Sequence, residues 1–191
     1  MTASAKKFQI TIWNGLKPTV RLINQATYTS MIYIASDHGG FKLKEYLKKT
    51  LGNKVRFIDL GPTKFVNGDD YPDYAKKVAA KISSSLPSRA KSRDLSRGME
   101  DSGNIGILIC RSGQGVCIAA NKFKRVRAAL VWNTKEAKAS RNDDMANVLC
   151  LPSDYVTRST AVAIVKTFLT TPFSKNKRHI RRVKKIAALE I

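Results

Sequence analysis

The sequence is poor in the residues that small secreted domains and metal-binding domains depend on. Its 191 residues include three Cys, two His and six Pro. An odd, low Cys count does not make a disulfide framework and is typical of a reducing compartment, so we expect a cytoplasmic protein. With two His and no CxxC pair, the chain has too few ligands for a typical zinc site, and we expect no bound metal.

Long hydrophobic runs and acidic residues are also missing. No run of 18 apolar residues occurs, which excludes a transmembrane helix. The chain has 14 Asp and Glu but 35 Lys and Arg, which gives a formal net charge of +21. Such an excess is common among nucleic-acid-binding proteins. Here the basic residues are spread along the chain, and the densest run, Arg178 to Lys185, is short.

What the sequence contains is enough for one folded domain. Hydrophobic residues make up 43% of the chain, which excludes a wholly disordered protein. Residues 1–30 have four basic residues, no acidic residue and no periodicity, and we interpret them as a flexible basic extension. Residues 31–191 form the predicted domain. Within it, the polar, Ser- and Arg-rich residues 87–103 are predicted to be an inserted surface loop.

From Met31 onward, apolar strand-like runs alternate with amphipathic helix-like runs. The pattern predicts strands at 32–35, 55–60, 105–110, 126–132 and 147–151. It predicts helices at 41–51, 74–82, 116–122, 134–141, 157–170 and 178–190. Five β-α units in succession indicate an α/β protein, a Rossmann-like three-layer sandwich with a five-stranded parallel sheet. Ligands of such sheets bind beyond the carboxyl ends of the strands, which directs attention to the loops after each strand.

One of these loops joins a Cys to two Gly. Cys110 ends the third strand, and the turn Arg111-Ser-Gly113-Gln-Gly115 opens a helix. Backbone N–H groups in such a turn converge on an anion or oxyanion, and the helix N-terminus favours a thiolate. Cys110 is therefore a candidate reactive thiol, whereas Cys117 and Cys150 fit small buried hydrophobic positions better.

The loop after the first strand, Ser36 to Gly40, carries Asp37 and His38. It belongs to the same sheet edge as Cys110. A lone His is often structural, but an adjacent carboxylate makes acid-base chemistry or phosphate contact a reasonable interpretation.

Six ordered motifs resemble those of type B ribose-5-phosphate isomerases, a family that also contains galactose-6-phosphate isomerase subunits. The resemblance extends over about residues 31–186. The motifs are Ser36-Asp-His-Gly-Gly-Phe-Lys-Leu-Lys44, Asp70-Tyr-Pro-Asp-Tyr-Ala75, Gly106-Ile-Leu-Ile-Cys110-x-Ser112-Gly-x-Gly115, Ile118-Ala-Ala-Asn121-Lys122 with Arg127-Ala-Ala129, Asn147-Val-Leu149, and Arg178-His179-x-x-Arg182-Val183.

The resemblance implies an enzyme that interconverts aldose and ketose phosphates through a cis-enediolate, without metal or cofactor. It implies Cys110 as the base between C1 and C2, and Ser112 as the hydroxyl between O1 and O2. The remaining site residues follow by position. They are the backbone of Arg111, Gly113 and Gly115 at the enediolate; Asp37, His38 and Tyr71 at the sugar and its ring; Asn121 and Asp144 in the pocket; and Arg178, His179 and Arg182 at the phosphate.

Three positions depart from the family's usual residues. Asp143 stands where the family has a His thought to act in ring opening, and a carboxylate can accept that proton more readily than donate one. Asp154 stands where the family commonly has an Arg that meets phosphate. Arg111 replaces a Gly or Ser, and is expected to favour the thiolate, to reach a phosphate, or to be simply solvated.

We therefore expect a sugar-phosphate isomerase, with ribose 5-phosphate and ribulose 5-phosphate as the default pair. Another pentose or hexose phosphate is the alternative within the class. An alternative outside it is a basic nucleic-acid-binding protein on a retired isomerase fold, but no RNA-binding motif supports nucleic acid as a partner. The resemblance also implies a homodimer, or a dimer of dimers, with active sites at the interface. No membrane partner is expected.

Overall fold

Strands and helices alternate through the part of the chain that the computed structural model describes, residues 31–84 and 103–190. The predicted extension at 1–30 and residues 87–102 of the predicted loop lie outside these ranges. In chain order the elements are β1 (Ile32–Ser36), α1 (Phe41–Leu51), β2 (Phe57–Asp59), α2 (Tyr71–Ser84), β3 (Ile105–Cys110), α3 (Gln114–Ala120), β4 (Ala128–Leu130), α4 (Thr134–Asn142), β5 (Val148–Pro152), α5 (Arg158–Thr170) and α6 (Lys177–Ala187).

The five strands form one parallel sheet in the order β2-β1-β3-β5-β4, which confirms the predicted architecture. β3 lies at the centre, and all six of its residues are buried. β2 and β4 are shorter than predicted because they are the outer strands, each hydrogen-bonded on one side alone within residues 31–84 and 103–190. Their partly exposed residues are typical of sheet edges.

Helices cover both faces of the sheet. Alternate residues of β3 point to opposite faces, with Ile107 and Ile109 on one side and Leu108 and Cys110 on the other. The first face packs against α1, α4 and α5, and the second against α2 and α3. Gly106 lets α2 approach closely, since a Cβ there would lie 2.7 Å from Cγ1 of Val78.

Because the strands are parallel, their carboxyl ends lie along one edge of the sheet and their amino ends along the other. We call these the carboxyl edge and the amino edge. The loops after β1, β2, β3 and β5 lie at the carboxyl edge. Helix α6 lies at the amino edge, where Val183 and Ile180 pack against Met145, just before β5, and against Phe173.

No helix within residues 31–84 and 103–190 is both long enough and apolar enough to cross a membrane.

Candidate active site

The turn after β3 holds the candidate thiol in a fixed position. Cys110 is 4% exposed, and its Sγ accepts a hydrogen bond from the Gly113 N–H at 3.1 Å. Gly113 has a φ of 71°, the left-handed conformation, and a Cβ there would lie 3.0 Å from the backbone nitrogen of Pro152. Glycine is therefore required on both conformational and steric grounds. The turn directs an N–H group at the sulfur.

Ser112 follows the thiol and lies before the first turn of α3. Its Oγ accepts a long hydrogen bond of 3.4 Å from the N–H of Gln114. The first backbone N–H groups of a helix have no partners inside the helix, so those of α3 face the same turn as the Ser112 hydroxyl. A thiol, a hydroxyl and backbone N–H groups meet in this turn. The hydroxyl and the N–H groups are the kind of donors that an enolate-type oxyanion needs.

Asp37 is buried in the loop after β1 and stabilises the loop's own backbone. Its Oδ1 accepts a hydrogen bond from the Gly40 N–H at 2.9 Å, and its backbone N–H donates to the Ile109 carbonyl at 3.3 Å. Burial raises the pKa of Asp37 above its ordinary value, against the opposing effect of the Gly40 hydrogen bond. The loop is thereby tied to β3 one residue before Cys110.

The hydrogen-bond partner of the His38 ring is Asp69, from the loop after β2. Asp69 Oδ1 accepts from the His38 backbone N–H at 2.7 Å and lies 2.9 Å from Nδ1. This hydrogen bond raises the pKa of His38 above its ordinary value of 6.5. Burial would raise the pKa of Asp69, but hydrogen bonds from His38 and Tyr74 lower it overall.

Tyr71 begins α2 and lies against the glycine turn. A Cβ at Gly115 would come within 2.6 Å of the Tyr71 ring, so only a glycine leaves room for it. Tyr71 itself is 39% exposed. Its neighbour Tyr74 is buried beside Asp69, and burial together with that carboxylate raises the pKa of Tyr74 to about 12. Tyr74 thus stays protonated and serves as a donor, while Tyr71 forms one wall of the site.

The loop after β5 completes the carboxyl edge. Ser153 donates from its backbone N–H to the Cys110 carbonyl at 2.9 Å and from Oγ to the Gly39 carbonyl at 3.0 Å. Asp154 forms an ion pair with Arg111, with 3.0 Å between Oδ2 and Nε. The two charged departures from the family pattern, Arg111 and Asp154, are therefore partners.

The other predicted site residues lie at the amino edge. Asp143 ends α4 just before β5, and its Oδ1 is 3.6 Å from Nδ1 of His179 on α6. His179 is buried, with Nδ1 2.7 Å from Ser174 Oγ and Nε2 accepting from Arg178 Nε at 3.0 Å. Asp144, Arg178 and Arg182 are exposed nearby on the same segments.

The length of the sheet separates these residues from the thiol. β5 has five residues between Asp143 and Asp144 at one end and Ser153 at the other, and five residues of strand span about 16 Å. Within one chain the predicted residues therefore form two groups. The thiol group comprises Asp37, His38, Tyr71, Cys110, Arg111, Ser112, Gly113 and Gly115; the cationic group comprises Asp143, Asp144, Arg178, His179 and Arg182.

Asn121 belongs to neither group. It caps the end of α3, and its side-chain amide exchanges two hydrogen bonds with the backbone of Ala128, Nδ2 to the carbonyl at 2.9 Å and the N–H to Oδ1 at 2.8 Å. These bonds attach α3 to the start of β4. The expected contribution of Asn121 to a pocket stays a prediction.

Two further residues contact the thiol group and were not predicted from the sequence as site residues. Asp69 directly precedes the Asp70-Tyr71 motif, and Ser153 directly precedes Asp154. Both lie on loops that the parallel topology places at the carboxyl edge. Their specific contacts could not be predicted, because each joins residues far apart in the sequence: 31 residues separate His38 from Asp69, and 114 separate Gly39 from Ser153.

Comparison with known proteins agrees with this geometry. Residues 32–186 match the Ribose/Galactose Isomerase family. The chain belongs to this family. The isomerase from Mycoplasma genitalium known as probable ribose-5-phosphate isomerase B is 45% identical over 160 residues, covering 83% of this chain and 95% of the relative. Ribose-5-phosphate isomerase B of Mycobacterium tuberculosis is 34% identical over 163 residues, with 83% and 89% covered.

Solved structures in the family have the same fold. The crystal structure of the Mycoplasma genitalium ribose-5-phosphate isomerase B with bound ribulose 5-phosphate superposes with a TM-score of 0.72 and 43% identity, covering 85% of this chain and 97% of that one. The type B enzyme of Trypanosoma cruzi gives a TM-score of 0.69 at 34% identity, covering 85% of this chain and 97% of that one. The predicted family and fold are both confirmed.

Proposed function

We propose that the protein interconverts ribose 5-phosphate and ribulose 5-phosphate. The observation that carries this proposal is the likeness to a relative whose structure contains ribulose 5-phosphate, at 43% identity over 97% of that chain. The arrangement around Cys110 supports it independently, because an aldose-ketose isomerisation needs a base beside preorganised oxyanion donors. The presence of Cys110, Ser112 and the glycine turn together also argues against the alternative of an inactive isomerase fold that binds nucleic acid.

In this proposal Cys110 acts as a thiolate and removes the proton from C2 of the open-chain aldose. The electron pair of the C–H bond forms the C1–C2 double bond of a cis-enediolate as the π pair of the C1 carbonyl moves onto O1. The charge on O2 then forms the C2 carbonyl, and the electron pair of the C1–C2 double bond takes the proton back from the thiol at C1. Ser112 carries the proton between O2 and O1. The Gly113 N–H, 3.1 Å from Sγ, stabilises the thiolate, and the donors of the turn stabilise the enediolate.

Ribose 5-phosphate is mostly a closed ring, so the ring must open first. His38 is the candidate acid for the ring oxygen, because Asp69 raises its pKa and increases the protonated fraction near neutral pH. Asp143 is the candidate base for the hydroxyl proton. Tyr71 and Asp37 line or support the pocket, and we propose Arg178, His179 and Arg182 as the phosphate-binding set, since forked Arg donors suit phosphate.

The separation of the two groups leads us to propose a homodimer. Asp143, Arg178 and Arg182 lie about one strand length from Cys110 of their own chain, farther than one pentose phosphate extends. A second copy that presents its amino edge to the carboxyl edge of the first supplies the missing cations. A two-fold axis then builds two identical sites, each with residues from both chains.

A different pentose or hexose phosphate is the second candidate substrate. The observation that favours it is the altered charge pattern, with carboxylates at Asp143 and Asp154. We further propose a cytoplasmic location, where the three Cys remain reduced.

The test is an isomerase assay with purified protein over ribose 5-phosphate, other pentose phosphates, galactose 6-phosphate and unphosphorylated ribose. We expect the highest kcat/KM with ribose 5-phosphate. Cys110→Ala should remove nearly all turnover, while Cys117→Ala, which alters a thiol on the next helix, should keep it. A preference for another sugar phosphate would correct the substrate, and undiminished turnover in Cys110→Ala would refute the proposed base.

A further inference from the structure

The ion pair between Arg111 and Asp154 is supported by backbone hydrogen bonds as well as by the contact between the two side chains. The Asp154 backbone N–H donates to the Arg111 carbonyl at 3.0 Å, so the two residues are joined by main chain as well as by side chain. The loop that carries Asp154 is held in addition by Ser153, through its hydrogen bonds to Cys110 and Gly39. These hydrogen bonds hold the backbone of Asp154 in place independently of the contact between its carboxylate and Arg111.

The stem of Arg111 is also confined. Gly39 lies directly against it, and a Cβ at Gly39 would overlap Cγ and lie 3.2 Å from Cδ of Arg111. The side chain therefore runs between the loop after β1 and the loop after β5. Ordering a long Arg side chain costs conformational entropy, which the contacts of Arg111 with Gly39 and Asp154 must offset.

The contact with Asp154 uses one edge of the guanidinium. Asp154 binds Nε, and Arg has five N–H donors in a planar fork, so the terminal nitrogens hold the remaining four. The Arg111 side chain is 70% exposed, whereas Cys110 beside it is almost fully buried. Arg111 therefore stands at the mouth of the site whose interior end is the thiol.

This arrangement matches a substrate that has one reacting end and one charged end. The reacting carbons must reach the buried Cys110, so the charged end of the molecule extends outward to the mouth. The guanidinium fork held there matches the spacing of two phosphate oxygens.

We propose that Arg111 binds the phosphate of the sugar phosphate from the same chain as the thiol, and that Asp154 is its positioning residue. The inference rests on the proposed function and deepens it, because it adds a fixed cation to those that the second copy supplies. It also gives Asp154 a role that its charge alone would not suggest.

Because Asp154 is negatively charged, the direction in which KM changes on its removal tests the proposal. An unengaged carboxylate at the mouth would repel phosphate, so its removal would lower KM. A carboxylate that positions Arg111 does the opposite, and its removal raises KM. Asp154→Asn keeps an oxygen acceptor for Nε and should stay close to the original enzyme, whereas Asp154→Ala loses the acceptor.

The experiment compares Arg111→Ala, Asp154→Ala and Asp154→Asn with ribose 5-phosphate and with unphosphorylated ribose. Arg111→Ala should raise KM for ribose 5-phosphate about tenfold, as expected for a lost charge-assisted hydrogen bond. Its kcat should change less than about twofold, and its kcat/KM for ribose should not change. Asp154→Ala should raise KM for the phosphate ester in the same direction. Lys135→Ala, at an exposed position on α4, is the control and should match the original enzyme.

A second readout separates this inference from the proposed function. Calorimetric titration with inorganic phosphate measures anion binding without turnover, and Arg111→Ala should weaken it severalfold. If the original protein turns over no sugar phosphate, the proposed function fails, while the titration still decides the role of Arg111. The inference is overturned if Arg111→Ala leaves KM and phosphate binding unchanged, or if Asp154→Ala lowers KM.

Discussion

Asp69 holds His38 through one carboxylate oxygen, Oδ1, which accepts hydrogen bonds from the His38 backbone N–H at 2.7 Å and from ring Nδ1 at 2.9 Å. The contact fixes both the position of the residue and the orientation of its ring. Nδ1 is engaged, so Nε2 is the nitrogen left to act on a substrate. The acid-base character of His38 is thus set by a residue from a different loop.

We expect Asp69→Asn to lower the pKa of His38. The hydrogen bond that His38 donates to the carboxylate raises that pKa above 6.5, and an amide in its place removes the negative charge that favours the imidazolium. NMR titration of the His38 ring protons measures the shift. Because a general acid must be protonated, the alkaline limb of the pH-rate profile should move to lower pH. An unchanged titration would mean that Asp69 is structural only.

The same substitution has a pH-dependent effect on stability. The folded pKa of His38 is raised, so its stabilisation is fully present below 6.5 and lost as pH rises through the folded pKa. The pKa of Asp69 is lowered, so its contribution is present above 3.8 and lost as pH falls through the folded pKa. The stability difference between the original protein and Asp69→Asn should therefore be largest between pH 3.8 and pH 6.5, measured by urea unfolding.

Lys44 is the fully buried member of a charged cluster that anchors the loop leading to Asp69. Its Nζ contacts both oxygens of Asp59, at 2.9 and 2.8 Å, and the Pro62 carbonyl at 2.5 Å. Lys44→Met should lower the free energy of unfolding by about 1–3 kcal/mol, less than for a buried pair that loses its only partner, because Lys48 still contacts Asp59. Lys49→Met, at an exposed position on the same helix, should change it little. Equal effects in urea unfolding would contradict the assignment.

Gly113 and Gly68 separate two costs of replacing a glycine. Both have positive φ, 71° and 73°, but a Cβ at Gly113 meets Leu130 and Pro152 whereas one at Gly68 meets nothing within 4 Å. Gly68→Ala should cost about 1 kcal/mol of stability through backbone strain alone. Gly113→Ala should cost about 2–4 kcal/mol and also reduce turnover, since it displaces the N–H from Cys110. Similar losses in the two variants would show that the turn tolerates a side chain.

Asp143 is predicted to act in ring opening. Asp143→Asn should slow turnover of sugar phosphates that are mainly closed rings and spare a short sugar phosphate that cannot cyclise. Asp143→His, which introduces the residue usual in the family, should keep or raise activity on ribose 5-phosphate. If Asp143→Asn slows cyclic and open-chain substrates equally, its contact with His179 at 3.6 Å is better explained as structural.

The central elements of the fold were predictable because their patterns are unambiguous. β3 is apolar at nearly every position and ends in a glycine turn, and α1 has its apolar residues at helical spacing. The outer strands were predicted too long, because residues that flank β2 and β4 are partly or fully buried although they lie outside the strands. α2 begins at Tyr71, earlier than predicted, because Pro72 is tolerated in the first turn of a helix.

The sequence was sufficient to predict which loops carry the candidate site, but not which side chains contact each other there. The parallel topology identified the loops that carry Asp69, Cys110 and Asp154. Which carboxylate meets His38, and which cation meets Asp154, depends on side-chain packing between distant segments. The separation of Asp143 from Cys110 likewise depends on which end of β5 each lies near, and it becomes informative only once the strand order is known.

The central claim is that one site combines Cys110 of one chain with Arg178 and Arg182 of a second copy. Co-expression of Cys110→Ala with Arg178→Ala/Arg182→Ala, each with its own affinity tag, tests it most directly. Each variant alone should be nearly inactive on ribose 5-phosphate, and the doubly tagged hybrid should regain activity. Random pairing restores about a quarter of the sites, because half of the dimers are hybrids with one intact site. A purified hybrid that remains as inactive as its two parents would contradict the account.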